Sequence, residues 1–89
     1  MVIMDEDKTR EIKKLIANKI KSLKGEQSYS TLANKVSLTP ARISDAANNK
    51  IDFRISTLIE IATALRVTPK ELVDIEFDFE EYYKELDKI

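Results

Sequence analysis

The sequence predicts an all-α protein: a five-helix domain followed by a C-terminal extension that is itself read as helical. Three observations carry this reading. Apolar residues recur at steps of three and four through most of the chain, the period of one helix face. Only Gly25, Pro40 and Pro69 interrupt it, too few breakers for a fold of strands and long loops. Both prolines follow a threonine, as Thr39-Pro40 and Thr68-Pro69. That pairing starts a helix, because the hydroxyl caps it and proline lacks only an N–H that would have no partner there.

Taken in order, the first helix runs from roughly Glu6 to Lys24, with Ile12, Leu15, Ile16, Ile20 and Leu23 on one face. Gly25 supplies the left-handed residue that ends it. Ser28 caps a second helix, Tyr29 to Val36, with Leu32, Ala33 and Val36 inward. Ser37 and Leu38 make a brief turn. Thr39 caps a third helix whose inward residues are Ile43 and Ala46, and Asn48-Asn49 stops it, since Asn tolerates the left-handed region. A loop with Asp52 and Phe53 follows, Phe53 being read as an apolar plug beneath it. The fourth helix runs from about Ile55 to Arg66 on a stripe of Leu58, Ile61, Ala62 and Leu65, and the fifth from Pro69 through Leu72 to about Ile75. Asp78 and Glu81 have the spacing of a capping box, ahead of Phe79, Tyr82, Tyr83, Leu86 and Ile89 at helical spacing. A competing reading takes Ile75, Phe77 and Phe79 as an alternating strand. The helix is preferred.

Composition narrows the function. Eighty-nine residues make one domain with a modest core, to which a dimer contact would add stability. The chain has no cysteine and no histidine, so thiolate metal sites, disulfides and the commonest general base are all missing. The carboxylates show no calcium-loop or paired acid/base spacing. No apolar run approaches the ~20 residues of a membrane span, and the start does not read as a signal peptide. These features predict a cytoplasmic protein that is not an enzyme and needs no metal, cofactor or small-molecule substrate.

The net charge of −1 conceals a strong division. Residues 1–7 carry three acids and no base, −3. Residues 8–70 carry thirteen Lys/Arg against five acids, +8, and residues 71–89 carry two lysines against eight acids, −6. A basic middle with acidic ends suits a domain that faces phosphates and keeps a separate acidic tail. The plainer reading is a set of solvated helix faces.

Two short helices joined by a tight turn within a bundle of small helices have the geometry of a helix-turn-helix. Here the sequence resembles a known family. SYSTLANKVSLTPARIS, then Asn48-Asn49-Lys50, then STLIEIATALRVTPKEL look like the phage-repressor-type (Cro-like, XRE-like) helix-turn-helix domain. Leu32-Ala33, Leu38 and Ile43-Ser44 fall on family positions, and with the first helix the resemblance covers about 65 residues. It implies a lambda-repressor-like five-helix domain over residues 1–76, with the helix-turn-helix proper at about 28–48, and leaves 77–89 as an acidic amphipathic segment. The chain departs from the pattern in places. Tyr29 stands where Gln is usual, Ser37 replaces the turn glycine, and Asn49 replaces the glycine before Lys50. The acid that often ends the third helix is Ala47, and its usual Arg partner corresponds to Lys24, so both ends of that ion pair change together.

The resemblance implies that the third helix enters the major groove, presenting Thr39, Pro40, Ala41, Arg42, Ser44 and Asp45 toward base edges. Arg42 is the one long side chain there able to grip guanine, Asp45 could accept from cytosine, and Pro40 and Ala41 could only touch a thymine methyl. For Thr39 and Pro40, capping is the plainer role. The same resemblance places Ser28 and Tyr29 on the phosphate backbone at one side of the groove, and Asn48, Lys50, Arg54 and Ser56 at the other. For Lys50 and Arg54, simple surface solubility is the alternative. The function these features predict is a transcriptional regulator that binds a near-palindromic site on double-stranded DNA as a homodimer, like phage-type repressors and restriction–modification controllers. The alternative is an antitoxin that represses its own operon and binds a toxin through its tail. Phe77, Phe79, Tyr82, Tyr83 and Leu86 exceed what a short tail can hide, and are read as the dimer or partner contact. Otherwise they fold back on the first helix, and pairing runs through the fourth and fifth.

Overall fold

The computed structural model describes residues 5–52 and 54–88. Phe53 and Ile89, given roles above, lie outside them. The described residues form six helices and no strand: α1 (Asp5–Lys24), α2 (Tyr29–Ala33), α3 (Pro40–Ala47), α4 (Ile55–Leu65), α5 (Pro69–Leu72) and α6 (Phe79–Asp87). The expected all-α class holds, and the tail is a helix rather than a strand.

Local chemistry explains the boundaries. Gly25 ends α1 at φ 58°, with Lys21 and Lys24 in the last turn facing the negative end of the helix dipole. The Ser28, Thr39, Thr68 and Asp78 side chains each accept the backbone N–H three residues on, starting α2, α3, α5 and α6. α4 ends at Leu65, one residue before the expected Arg66, because Arg66 itself takes the left-handed conformation at φ 62°. Val67 N–H then donates back to Ala62 at 3.0 Å and closes the end.

Two helices are shorter than their apolar patterns suggest. α2 stops at Ala33, not Val36, because Lys35 and Val36 donate to Leu32 and Ala33 in tighter i→i−3 turns. α5 stops at Leu72, not Ile75. Asp74 donates to Glu71 and Ile75 to Val73, so the chain has already left the helix. In both cases the apolar residue beyond the end is still half-buried, Val36 against the core, and this is what periodicity detects.

The core takes one fully buried large side chain from each of the first five helices: Ile20, Leu32, Ile43, Ile61 and Leu72. Alanines fill the crossings between them. Ala17, Ala33, Ala46, Ala47, Ala62 and Ala64 are all buried, so the helices approach closely. Two ion pairs tie α1 to later segments, Lys13 to Asp52 at 2.6 Å and Lys19 to Glu71 at 3.7 Å. α6 contributes nothing to the core, as none of its residues is buried. Its aromatic rings contact one another and Phe77 just before it, Phe77 lying 4.7 Å from Phe79 and 5.9 Å from Tyr82, edge-on. Phe77 and Tyr82 line a shallow cleft beside Lys8 and Glu11 of α1, whereas Phe79 and Tyr83 stand open to solvent. No helix among the described residues is long and apolar enough to cross a membrane.

Candidate nucleic-acid interface

α3 is held from beneath and open above. Ile43, Ala46 and Ala47 are buried, while Thr39, Pro40, Ala41 and Arg42 are exposed and Ser44 and Asp45 half-exposed. The six residues expected to face base edges are therefore all at least partly accessible, spread over the side of α3 away from its buried residues. Thr39 Oγ1 accepts the Arg42 N–H at 3.1 Å, so its hydroxyl is engaged in the cap and Pro40 occupies the first helical position. The Arg42 guanidinium is exposed and has no acidic partner among the described residues, leaving all its donors for a ligand.

The residues expected on phosphate flank α3 along the chain, Ser28 and Tyr29 at the start of α2 and the others between α3 and the first turn of α4. Ser28 Oγ accepts the Thr31 N–H at 3.0 Å and shares a 2.8 Å hydrogen bond with the Thr31 hydroxyl, so it acts first as the cap of α2. Tyr29 is half-buried and packs on the core from α2, with Lys24 Nζ 4.6 Å from the centre of its ring. Lys24 is thus engaged by a cation–π contact, and Ala47 is buried at 1% exposure. At the other end, Asn48 Nδ2 donates to the Ser44 carbonyl at 2.8 Å and to Ser44 Oγ at 3.3 Å, joining one expected phosphate contact to one expected base contact. Asn49 turns the chain at φ 58°, and Lys50 N–H donates to the Asp45 carbonyl at 2.8 Å. Lys50, Arg54 and Ser56 are exposed along the exit from α3 into α4.

The helix termini add to this electrostatic pattern. α2, α3 and α4 carry no acid in their first turns, whereas α5 holds Glu71 and α6 holds Glu80 and Glu81 there. The positive dipole ends of α2, α3 and α4 are thus left without a neutralising acid in their first turns.

One positioning feature has no counterpart in the local sequence pattern. Glu60, on α4, receives the Ser37 N–H at 2.9 Å and the Ser37 hydroxyl at 2.5 Å through the same carboxylate oxygen. Its pKa is lowered, first by the hydroxyl bond and then by the backbone N–H. The turn between α2 and α3 is thereby tied to the scaffold by an acid 23 residues away. Only the polar residue at a turn position that usually takes glycine signals it in the sequence.

No group of acidic side chains among the described residues is placed to hold a metal. No curated protein and no solved structure matches the chain. A family model for the Cro/C1-type HTH DNA-binding domain matches residues 11–78, which takes in all of α1 from Glu11, the α2–α3 unit, α4 and α5. That match covers most of the chain and all of the α2–α3 unit: the chain belongs to the Cro/C1-type helix-turn-helix DNA-binding domain family.

Proposed function

We propose that the chain is a cytoplasmic transcriptional regulator that binds a near-palindromic operator as a homodimer, in the manner of phage-type repressors and restriction–modification controllers. The observation that carries this reading is the exposed face of α3, which bears unpaired Arg42, together with the acid-free starts of α2, α3 and α4. Arg42, Ser44 and Asp45 read base edges, while Thr39, Pro40 and Ala41 shape the approach. Ser28 and Tyr29 on one side, and Asn48, Lys50, Arg54 and Ser56 on the other, hold the backbone. Selection of bound duplexes from a random pool tests it. Enrichment of an inverted repeat with half-sites ~34 Å apart supports the reading, and recovery of unrelated sequences refutes it.

The pairing surface is assigned to the tail. Phe79 and Tyr83 are exposed, 36% and 54%, while Phe77, Tyr82 and Leu86 are half-buried at their edge. Burying two such stripes together would outweigh the screened repulsion of two acidic tails. A rival surface is Ile55 and Ile59, one turn apart on α4 and 72% and 47% exposed. Deleting residues 77–89 separates them: a truncated chain that still sediments as a dimer places pairing on α4.

The exposed aromatic and acidic tail also supports a second reading, an antitoxin whose α6 engages a toxin while the helix-turn-helix represses the operon. A toxin encoded beside this gene, bound by the full chain but not by one lacking residues 77–89, would favour it.

A further inference from the structure

We infer that the DNA footprint extends beyond the helix-turn-helix onto α1, where a cleft beside the end of α3 takes a backbone phosphate of the flanking duplex. The cleft, about 240 Å³, opens between Lys14, Asn18 and Lys21 of α1 and Asn48 and Asn49 after α3. The spacing of Lys14, Asn18 and Lys21 puts them on one face of α1, and all three are exposed. Buried Ala17 and Ala47 form the floor, 3% and 1% exposed. No acid lines it. The ion pairs of α1 use Arg10, Lys13 and Lys19, leaving Lys14 and Lys21 without an acidic partner among the described residues.

The identity of residue 47 gives the cleft its sign. An acid there would add a negative charge to the floor beside Lys14 and Lys21, and alanine leaves both lysine charges uncompensated over a small apolar floor. Two lysines, which only donate, and the side-chain NH2 groups of Asn18 and Asn49 supply donors that a phosphate oxygen accepts. The site is also continuous with the recognition surface. Asn48 is bonded to Ser44, Lys50 follows directly, and the Lys13–Asp52 pair holds the same loop against α1. A duplex seated on α3 and Lys50 therefore runs past Lys14 and Lys21.

This inference rests on duplex DNA being the ligand of the domain, and its test separates the two. Duplex affinity of the full chain is titrated by fluorescence anisotropy across a KCl series. The wild type is compared with Lys14→Ala, Lys21→Ala, the double variant, and Lys70→Ala as a remote control, folding being checked by circular dichroism. Each cleft lysine removed should flatten the log–log salt slope by about 0.9 per bound chain. The fall in affinity between 50 and 200 mM salt then becomes about 3.5-fold smaller for each lysine lost. Slopes that match Lys70→Ala would overturn the inference while leaving DNA binding by α3 standing. So would inorganic phosphate shifting the Lys14 and Lys21 resonances in a protein whose duplex slope is indifferent to both, which makes the cleft a free-anion site. A wild-type chain that binds no duplex overturns both readings.

Discussion

Replacing Thr39 by Ala removes the oxygen that receives the Arg42 N–H at the start of α3, 3.1 Å away. The chain contains its own control, since Thr68 caps α5 through the Glu71 N–H at 3.2 Å with the same threonine–proline start. Both caps are exposed, so water can replace the lost acceptor, and each alanine should cost about 1 kcal/mol. In a domain of this size that lowers Tm by about 4–8 °C. Thr68→Ala should fall at the milder end, because Glu71 still faces the dipole of α5 whereas the first turn of α3 holds no acid. The two should part in DNA binding. The first turn of α3 carries Arg42, so its fraying misplaces the side chain assigned to base recognition, while α5 lies off that surface. Chemical denaturation followed by circular dichroism gives the stabilities, and anisotropy at a temperature where every variant is folded gives the affinities. Thr39→Ser should restore both. Equal losses of affinity in Thr39→Ala and Thr68→Ala would refute the reasoning, as would a Thr39→Ala chain as stable as the wild type.

Arg42→Ala should weaken binding to the selected site by about 1–3 kcal/mol and relax preference at one base pair, and equal losses on random duplex would make it a phosphate contact instead. The Ser37 bonds lower the pKa of Glu60, so their contribution is complete above the ordinary carboxylate range and is lost as pH falls through the lowered folded-state value. Acid titration should therefore show a loss of stability below that range that Glu60→Gln abolishes, and identical acid limbs would disprove it. Arg66→Gly should raise stability by about 0.5–1 kcal/mol, the left-handed penalty relieved less the added freedom of glycine when unfolded, as measured by the denaturation midpoint.

Much of the fold is legible because its signals are local. Gly25 at φ 58°, the two threonine–proline starts and the stripe ending at Leu65 each act within one turn of helix. What escapes a one-dimensional reading is set by contacts between distant segments. The 3.6-residue pattern marks large apolar residues, so it finds Ile20 and Ile61 but passes over Ala17, Ala47 and Ala64, whose small size lets helices meet. It also extends α2 to Val36, since a half-buried residue in a turn keeps the phase of the helix before it. The exposed face of α3 could be anticipated from its buried one. The tie from Glu60 to Ser37 could not, because nothing in either segment specifies a partner 23 residues off. Nor could the lodging of Lys24 on the Tyr29 ring, which depends on how the chain turns at Gly25.

The absence of buried residues from α6, set against the core of α1 to α5, sets up a molecule with two levels of stability. A nine-residue helix is short of the length at which helices persist alone in water, and α6, with no buried residue, is supported by its Asp78 cap and by rings that contact one another. Its amides should exchange hydrogen through local opening, long before those of Ile20 or Ile61 open with the whole domain. Any surface that settles on Phe79 and Tyr83 would meet an element still able to melt, and would bear the entropy of ordering it on contact. Affinity at that end would then be lower than its apolar area suggests, and release correspondingly quick. The DNA-reading end, rooted in side chains that are fully buried, would be unaffected by whether the tail is folded at all.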